Sequence, residues 1–370
     1  MRMNIMPPVR KIRIKGFKSI RELELELRNL NVLIGANGAG KSNFISMFTL
    51  LHEVLAQRLG YYVAQQGGAS RLLYFGRKRT QEIAVRIEFE AEKTLQNMYE
   101  LRLTPDATDG LFFSLEKYHF WDRSRYTKPW ESEYSGHKEA HLIDVMENDK
   151  IARYIVKAIQ NWRVYQFHDT GANARMKQTG YLYDNEVLHS DAANLAAFLY
   201  RLRAQYPDNY RSVVETIKLV APFFGDFVLR PIPPQQEYIR LEWQELGSDE
   251  IFSASMLSDG TLRFICLATL LLQPNLPETI IIDEPELGLH PFALVVLADM
   301  LRSIAQDKQV IISTQSVPLV NQFTPEDVIV VDREDDQSVF KRLHEEDYEN
   351  WLDDYGLGDL WEKNVLGGRP

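Results

Sequence analysis

The chain has 370 residues, enough for one large domain or two ordinary ones, and its 45% hydrophobic and 25% charged residues are typical of a globular core. The net charge of −10 gives no global sign of nucleic-acid binding. The only cysteine, Cys266, excludes an internal disulfide and a cysteine-based zinc site. No apolar run reaches the roughly 18 residues that a membrane span requires. Because the first residues also lack the apolar segment of a signal peptide, we expect a cytoplasmic protein.

The first 75 residues predict two antiparallel strands, a buried strand and a helix. In "IRELELELRNL" leucines alternate with glutamates, which indicates a half-buried strand, and "KIRIKGF" before it is a plausible antiparallel partner. The short strand "NVLI" then leads into glycines. After Lys41 the apolar residues recur at helical spacing on one face, at Phe44, Phe48, Leu51 and Leu55.

The glycine-rich sequence "GANGAGKS", which ends in Lys41 and Ser42, matches the phosphate-binding loop pattern and lies between that strand and that helix. Its glycines let backbone N–H groups surround phosphate oxygens, and the helix N-terminus favours their negative charge. We expect Lys41 to reach the β- and γ-phosphates of a nucleotide and the Ser42 hydroxyl to bind Mg²⁺. The alternative is a glycine-rich turn without a ligand, which the flanking strand and helix disfavour.

Alternating and then helical patterns follow in the middle of the chain. Apolar residues alternate with polar ones at Ile83, Val85, Ile87 and Phe89, which predicts a β-lobe. Residues from about 139 to 224 are predicted to be mainly helical. No heptad run is long enough for a coiled-coil arm.

Two motifs of the C-terminal half add hydroxyl and acidic groups. "LSDGT" precedes an apolar helix, so Ser258 and the Gly260 amide can present donors to an anion at the helix N-terminus, although an ordinary Ser/Asp cap is the alternative. Because one subunit already has its phosphate-binding loop, this second helix end makes sense if it faces the nucleotide of another subunit. "TIIIDEPE" is a buried strand that places Asp283 where a carboxylate can hold Mg²⁺ and Glu284 where a base can orient water.

Strands and helices alternate through the rest of the C-terminal half. The helix that starts near Thr261 stops before Pro274, "TIII" follows, another helix starts at Pro291, and the strand "IIST" is followed by Gln315. This alternation predicts an α/β fold with a mostly parallel sheet covered by helices. The tail beyond residue 344 mixes acids with aromatic residues, and we favour its packing on the chain's own core over the docking of a partner.

Taken in order, the phosphate-binding loop, "LSDGT", "IIDEPELGLHP" and a polar residue after the next strand resemble the ABC-type ATPase superfamily. The segments "IRIKGFKSIRELELEL" and "LNVLIGANGAGKSNFI" closely resemble its RecF/SMC-like branch, which includes AAA-family predicted ATPases and the OLD- and Septu-type ATPases of phage defence. The resemblance implies a P-loop NTPase of ABC-ATPase type with ATP and Mg²⁺ as cofactors. The nucleotide-binding residues that it implies in the first half of the chain are Gly35, Ala36, Asn37, Gly38, Ala39, Gly40, Lys41, Ser42, Asn43, Lys18 and Ser19.

The resemblance also implies a homodimer, in which two copies placed head to tail enclose ATP between them. Each shared site would draw on both copies, with Lys41, Ser42, Asp283 and Glu284 from one copy, Ser258 and Gly260 from the other, and His290 at the seam. A glutamine that contacts Mg²⁺ and water is expected near "WRVYQFHDT", where an ordinary strand end is the alternative. The candidates there are Gln166, His168 and Asp169.

Gln315 departs from the superfamily, in which a histidine at this place contacts the γ-phosphate. Glutamine can donate and accept hydrogen bonds, but it carries no charge and cannot move a proton at neutral pH. We interpret Gln315 as a γ-phosphate sensor that still orients water, and we expect slow basal hydrolysis. The alternative is a helix-capping glutamine without a ligand.

The motifs divide the chain into an ATPase core and an insert. We predict a core formed by residues 1–75 and 240–344, a β-lobe and helical insert at 76–239, and a tail at 345–370. The long insert disfavours the ATPases of membrane transporters, whose corresponding span is much shorter.

The sequence has no recognisable cluster of nuclease carboxylates or metal-binding histidines. We therefore hypothesise that ATP-driven closure controls a separate effector protein, a nuclease or toxin, in prokaryotic phage defence. The alternative is a RecF-like DNA-maintenance ATPase that clamps DNA, or binds RNA, through basic residues. The basic strip would consist of Arg77, Lys78 and Arg79 together with Arg10, Lys11, Arg13 and Lys15.

Overall fold

The computed structural model describes residues 8–92 and 94–369, so the first seven residues of the segment examined for a signal peptide lie outside it. The strands are, in chain order, β1 (Val9–Phe17), β2 (Ile20–Glu26), β3 (Leu30–Ile34), β4 (Ile83–Glu92), β5 (Leu95–Pro105), β6 (Leu111–Asp122), β7 (Trp130–Tyr134), β8 (Trp162–Tyr165), β9 (Gly180–Tyr181), β10 (Phe224–Phe227), β11 (Tyr238–Ile239), β12 (Glu242–Glu245), β13 (Ile251–Ser253), β14 (Thr279–Asp283), β15 (Gln309–Thr314), β16 (Val328–Glu334) and β17 (Gln337–Arg342). The α-helices are α1 (Lys41–Leu55), α2 (Leu59–Gln65), α3 (Ala69–Leu72), α4 (Leu142–Val145), α5 (Lys150–Gln160), α6 (Leu195–Gln205), α7 (Pro207–Val220), α8 (Asp259–Leu271), α9 (Pro291–Ile304), α10 (Val317–Val320), α11 (Glu349–Leu352) and α12 (Leu357–Glu362). Across the described ranges, none of these helices combines the length and the apolar character needed to cross a membrane.

A six-stranded sheet with the order β17-β16-β3-β15-β14-β8 forms the centre of the molecule. Its neighbouring strands are parallel except for the hairpin of β16 and β17. Every residue of β3, β14 and β15 is buried, because side chains on both faces of the sheet enter hydrophobic clusters. Ile280 and Ile282 pack into the cluster that contains α8 and α9, and Ile281 packs into the cluster that contains α1 and α5. The predicted helix-covered, mostly parallel sheet is confirmed.

A second sheet, which is antiparallel and has the order β2-β1-β4-β5-β6-β7, is the predicted β-lobe. In β2 the side chains of Leu23 and Leu25 are buried, while those of Glu22, Glu24 and Glu26 are exposed, as the alternation predicts. The pairing of β1 with β2 is antiparallel, also as predicted. The longest helix within the described residues is α1, with 15 residues, so this part of the chain contains no coiled-coil arm.

The segment predicted as an insert, residues 76–239, contributes strands to both large sheets. β4 to β7 extend the antiparallel sheet, and β8 pairs in parallel with β14 at the edge of the core sheet. Residues from about 139 to 224 were predicted to be mainly helical, but residues 171–194 within this segment contain no α-helix. Part of this stretch is held by a side chain in place of helical backbone bonds, since Asn194 Nδ2 donates to the carbonyl oxygens of Asp184 (2.9 Å) and Val187 (2.8 Å). The domain boundaries themselves stay predictions.

The C-terminal tail packs on the chain's own core. Trp361 is fully buried, and its indole N–H donates to the carbonyl oxygen of Gly368 at 2.5 Å. Leu357 and Leu360 on the same helix, α12, are also buried. This is the intramolecular packing that the sequence favoured.

Candidate functional site

A chain of hydroxyl and amide groups fixes the loop between β3 and α1. Gly40 has φ = 122°, and a Cβ at this position would collide with the Ser338 hydroxyl, so the loop requires glycine there. The Ser338 hydroxyl donates to the carbonyl oxygen of Ala39 at 2.5 Å, and it can therefore only accept from Ser19, whose Oγ lies 2.7 Å away. Asn43 Nδ2 donates to Ser19 Oγ at 2.7 Å. Ser338 was not predicted, because it reaches the loop from β17, almost 300 residues later.

Lys41 is the first residue of α1, and its side chain lies buried across the loop. Its Nζ donates to the carbonyl oxygens of Gly35 at 2.5 Å and Ala36 at 3.1 Å. The neighbouring Ser42 is exposed. Burial lowers the pKa of the Lys41 ammonium, and three carboxylates oppose this change, namely Glu284, Asp283 and Glu286. The charged neighbours of Lys41 therefore come from the C-terminal end of β14.

Lys18 lies beside the same loop, at the turn between β1 and β2. Its backbone is left-handed (φ = 48°), its N–H donates to the carbonyl oxygen of Leu72 at 2.7 Å, and burial lowers the pKa of its ammonium. Lys18 lines a surface cavity of about 450 Å³ together with Ser19, Asn43 and Arg71. Three of the residues that the resemblance implied, Lys18, Ser19 and Asn43, thus line one opening.

Asp283 and Glu284 stand at the end of β14, which β15 separates from the strand that leads into the glycine-rich loop. Asp283 is buried, and its carboxylate accepts a hydrogen bond from the hydroxyl of Ser313 on β15. Glu284 has a left-handed backbone (φ = 47°), and its N–H donates to the carbonyl oxygen of Ser313 at 3.0 Å. This backbone turns the chain out of the sheet directly after Asp283.

Gln315 follows β15 and contacts two acids of "DEPE". Its Nε2 donates to Glu284 Oε1 at 2.5 Å, and its backbone N–H donates to Glu286 Oε1 at 2.8 Å. The cap of the next helix, α10, is Ser316, whose Oγ accepts from the backbone N–H of Leu319 at 3.3 Å. Gln315 is therefore not the helix cap that the sequence left open as an alternative.

The three polar residues after β8 have different surroundings. His168 Nε2 donates to the backbone carbonyl oxygen of Asp283 at 2.9 Å. Gln166 lines a separate cavity of about 620 Å³ beside β8, and Asp169 accepts from the backbone N–H of Gly171 at 3.1 Å within its own turn. Among these three candidates, His168 is the one that contacts Asp283.

Arg263, a residue that the sequence analysis missed, joins three segments around the site. From α8, its guanidinium donates to the carbonyl oxygens of Phe167 at 2.8 Å and His168 at 3.1 Å, and also to that of Leu287. Burial lowers its pKa. The available signal was a single arginine within the apolar sequence "TLRFICLATLL", where a buried charge needs several acceptors.

The sequence "LSDGT" forms the start of α8 and faces the surface. Ser258 is exposed, and its Oγ accepts from the backbone N–H of Thr261 at 3.1 Å, which is the ordinary capping role. Gly260 touches the backbone of Gly288, where a Cβ would collide with the carbonyl oxygen. His290 is likewise exposed and caps the start of α9. These two helix starts therefore lie close together through their glycines.

Comparisons with known proteins agree with this architecture. A family model described as "AAA domain, putative AbiEii toxin, Type IV TA system" matches residues 30–321, while no curated protein matches the chain. Among solved structures, an Smc head bound to the C-winged helix domain of ScpA has a TM-score of 0.60 at 16% identity, covering 93% of this chain and 100% of that chain. An Smc head domain with an extended coiled coil, bound to the C-terminal domain of ScpA derived from Pyrococcus furiosus, has a TM-score of 0.56 at 16% identity, covering 94% and 99%. At this identity the likeness shows a shared fold.

Proposed function

The chain belongs to the AAA-domain family described as putative AbiEii toxin of a type IV TA system, within the ABC-type, RecF/SMC-like ATPases, and from this premise we propose that it is an ATP-hydrolysing molecular switch. In this proposal two copies close head to tail around ATP in the cytoplasm and reopen after hydrolysis. The observation that carries the proposal is the convergence of Lys41, Asp283, Glu284 and Gln315 at the ends of neighbouring strands.

The groups around the loop fit a magnesium nucleotide. Lys41 is a buried ammonium whose Nζ is hydrogen-bonded to carbonyl oxygens of its own loop, an arrangement that phosphate oxygens can replace with stronger, charge-assisted bonds. The exposed Ser42 hydroxyl and the Asp283 carboxylate are the oxygen donors that Mg²⁺ prefers. When bound, Mg²⁺ neutralises charge on the β- and γ-phosphates.

The two acids at the end of β14 have different roles in this proposal, one in magnesium binding and one in proton transfer. Asp283, which is held by the Ser313 hydroxyl, would supply a carboxylate oxygen to Mg²⁺. Glu284 accepts the proton of the attacking water as a general base. Gln315 holds the Glu284 carboxylate through its amide N–H, and its amide oxygen is free of that bond and can accept from the same water. Because glutamine stays neutral, we expect slow turnover rather than none.

Exposed apolar side chains around the starts of α8 and α9 support the association of two copies. Ser258 lies at the surface next to large exposed apolar side chains, of which Met256 has 68% of its surface accessible, Phe292 50% and Leu287 38%. Exposed apolar surface of this kind is favoured at protein interfaces. If a second copy covers this surface, the Ser258 of one copy would approach the nucleotide bound by the other copy. The Ser258 hydroxyl could then donate a hydrogen bond to a phosphate oxygen of that nucleotide.

We place the output of the switch in a separate effector protein. In the described residues, no group of three or more His, Cys, Asp or Glu side chains is arranged to hold a metal ion. The conformational change would therefore be transmitted through the surfaces of residues 76–239 to a nuclease or toxin in phage defence. Co-purification of a partner with a Glu284→Gln variant, and loss of that partner when Lys41→Ala is added, would test this assignment.

Gln315→Ala is expected to lower the turnover number of ATP hydrolysis by about 10-fold, because the hydrogen bond that orients Glu284 is lost. The dissociation constant for ATP should change little, since Lys41 and the loop remain intact. Phosphate release and nucleotide titration measure the two quantities separately. Unchanged turnover and unchanged ATP-driven dimerisation would show that Gln315 is not the sensor.

A second candidate function, DNA maintenance, rests on Arg77, Lys78 and Arg79, which are all exposed. Arg79 lines one cavity together with Lys15 and Arg21. On this candidate, duplex DNA should stimulate ATP hydrolysis, and neutralising the three residues at 77–79 should abolish the stimulation and weaken the salt-dependent binding. If DNA has no effect on hydrolysis at low salt, the effector model is favoured.

The rest of the predicted basic strip is less available for nucleic acid. Lys11 and Arg13 both form ion pairs with Glu24 on the neighbouring strand β2. The single carboxylate of Glu24 therefore offsets part of the charge of these two residues within the β-lobe. A matched control variant for the DNA experiment is Arg125→Gln, an exposed arginine at the far end of the β-lobe that pairs with Asp122.

A further inference from the structure

Glu286 is an acid near the site that the proposed mechanism does not use. Its Oε1 accepts from the Gln315 backbone N–H at 2.8 Å, and the Thr314 side chain also hydrogen-bonds to its carboxyl group. Its Oε2 is buried and has no hydrogen-bond partner within the described part of the chain. An oxygen removed from water in this way is uncommon in folded proteins and calls for an explanation.

The surroundings of Glu286 shift the pKa of its carboxyl group upward. Burial raises the pKa of the carboxyl group, and the nearby Glu284 carboxylate adds to that rise, while the hydrogen bonds from Thr314 and Gln315 oppose it. A neutral carboxyl group still has a carbonyl oxygen that accepts the Gln315 N–H.

We propose that Glu286 is a positioning residue for ATP hydrolysis, which acts by fixing the backbone of Gln315. The hydrogen bonds run in series from Glu286 Oε1 to the Gln315 N–H and from Gln315 Nε2 to Glu284 Oε1. The order of these contacts means that Glu286 reaches the reaction through Gln315 and does not itself touch the substrate. This inference rests on the proposed ATPase function.

If Glu286 acts as a hydrogen-bond acceptor for Gln315, two substitutions of Glu286 should have different effects on turnover. Glu286→Gln keeps an oxygen that can accept the Gln315 N–H, so the turnover number should stay within about threefold of the wild type. Glu286→Leu has a similar size but no acceptor, and the turnover number should fall by about 10-fold because Gln315 loses its anchor. The dissociation constant for ATP should stay within about twofold in both variants, which distinguishes positioning from binding.

A double-substitution cycle with Gln315→Ala tests whether the effect passes through Gln315. If it does, Glu286→Leu should cause little further loss in the Gln315→Ala background, whereas independent effects would multiply. Asp307→Asn, at an exposed carboxylate beyond α9, serves as the control for loss of an acid. Thermal melting identifies any variant that fails to fold. If Glu286→Leu fails to fold, the smaller Glu286→Ala, which also lacks the acceptor, takes its place, and wild-type turnover in that variant would overturn the role of Glu286.

The outcomes separate this inference from the function on which it rests. Hydrolysis that depends on Lys41 and Glu284 but is indifferent to Glu286→Leu would overturn only the role of Glu286. The role of Glu286 would also be overturned if the losses of turnover caused by Glu286→Leu and Gln315→Ala multiply in the double variant. A collapse of turnover in Glu286→Gln would overturn it as well. If the wild-type protein has no ATP hydrolysis that depends on Lys41, the proposed function fails and the positioning role fails with it.

Discussion

Glu284→Gln is expected to lower ATP turnover by about 100-fold or more, while ATP-bound dimers accumulate. The substitution preserves the size of the side chain and can still hydrogen-bond to Gln315, but an amide cannot take the proton of the attacking water. Lys41, Ser42 and Asp283 remain, so nucleotide binding should be retained. Phosphate release measures turnover, and light scattering after size-exclusion chromatography with Mg-ATP measures the dimer.

Two controls make the Glu284→Gln experiment specific. Lys41→Ala should neither bind ATP nor form dimers with itself, because the buried ammonium of the loop is lost. Asp307→Asn should behave like the wild type. A Glu284→Gln protein that hydrolyses ATP normally would exclude Glu284 as the base, and one that stays monomeric with saturating Mg-ATP would count against the shared site.

The parts of the site that the sequence predicted are those whose signals are local. The glycine-rich loop lies between β3 and α1 as the pattern requires, and Asp283 ends β14 because apolar residues before it form a buried strand. In the same way the alternation in β2 predicted its buried face. These patterns are complete within about ten residues, so no knowledge of distant contacts is needed.

The parts that the sequence did not predict depend on long-range contacts. Ser338 contacts the loop from β17, and Arg263 donates to carbonyl oxygens of segments that come before and after α8 in the sequence. The strand β8 pairs with the core sheet although it belongs to a segment that was predicted as an insert. No local pattern encodes any of these pairings. Gln315 is an intermediate case, because its position after β15 was predicted, while its contacts with Glu284 and Glu286 required the structure.

Arg263 and the contact between Gly260 and Gly288 connect α8 to the segments around Asp283. Through Arg263, α8 is tied to the backbone beside His168, which itself donates to the Asp283 carbonyl oxygen. Through Gly260, the start of α8 is packed against the turn that follows Glu284. A shift of the Asp283–Glu284 turn would therefore be transmitted to Ser258 as a movement of α8 as a whole.

Mixing two inactive variants is expected to restore ATP turnover if each site is shared between copies. Lys41→Ala removes the loop's ammonium, and Ser258→Arg introduces bulk and charge at the exposed start of α8. In a mixed dimer, one site carries both defects and the other carries neither. Because Lys41→Ala does not pair with itself, the recovered turnover comes from mixed dimers, each of which has one intact site. With independent sites the mixture should regain between about a quarter of wild-type turnover, if pairing is random, and about half, if only mixed dimers form.

A second mixture provides the matched control, because it combines substitutions from the same side of the shared site. Lys41→Ala and Glu284→Gln would both act on the nucleotide bound by their own copy, so every site in a mixed dimer remains defective and turnover should not recover. Recovery in this second mixture, or none in the first despite intact ATP binding by Ser258→Arg, would show that the sites are not built from the loop of one copy and the α8 start of the other. The capping role seen for Ser258 within one chain would then be its whole role.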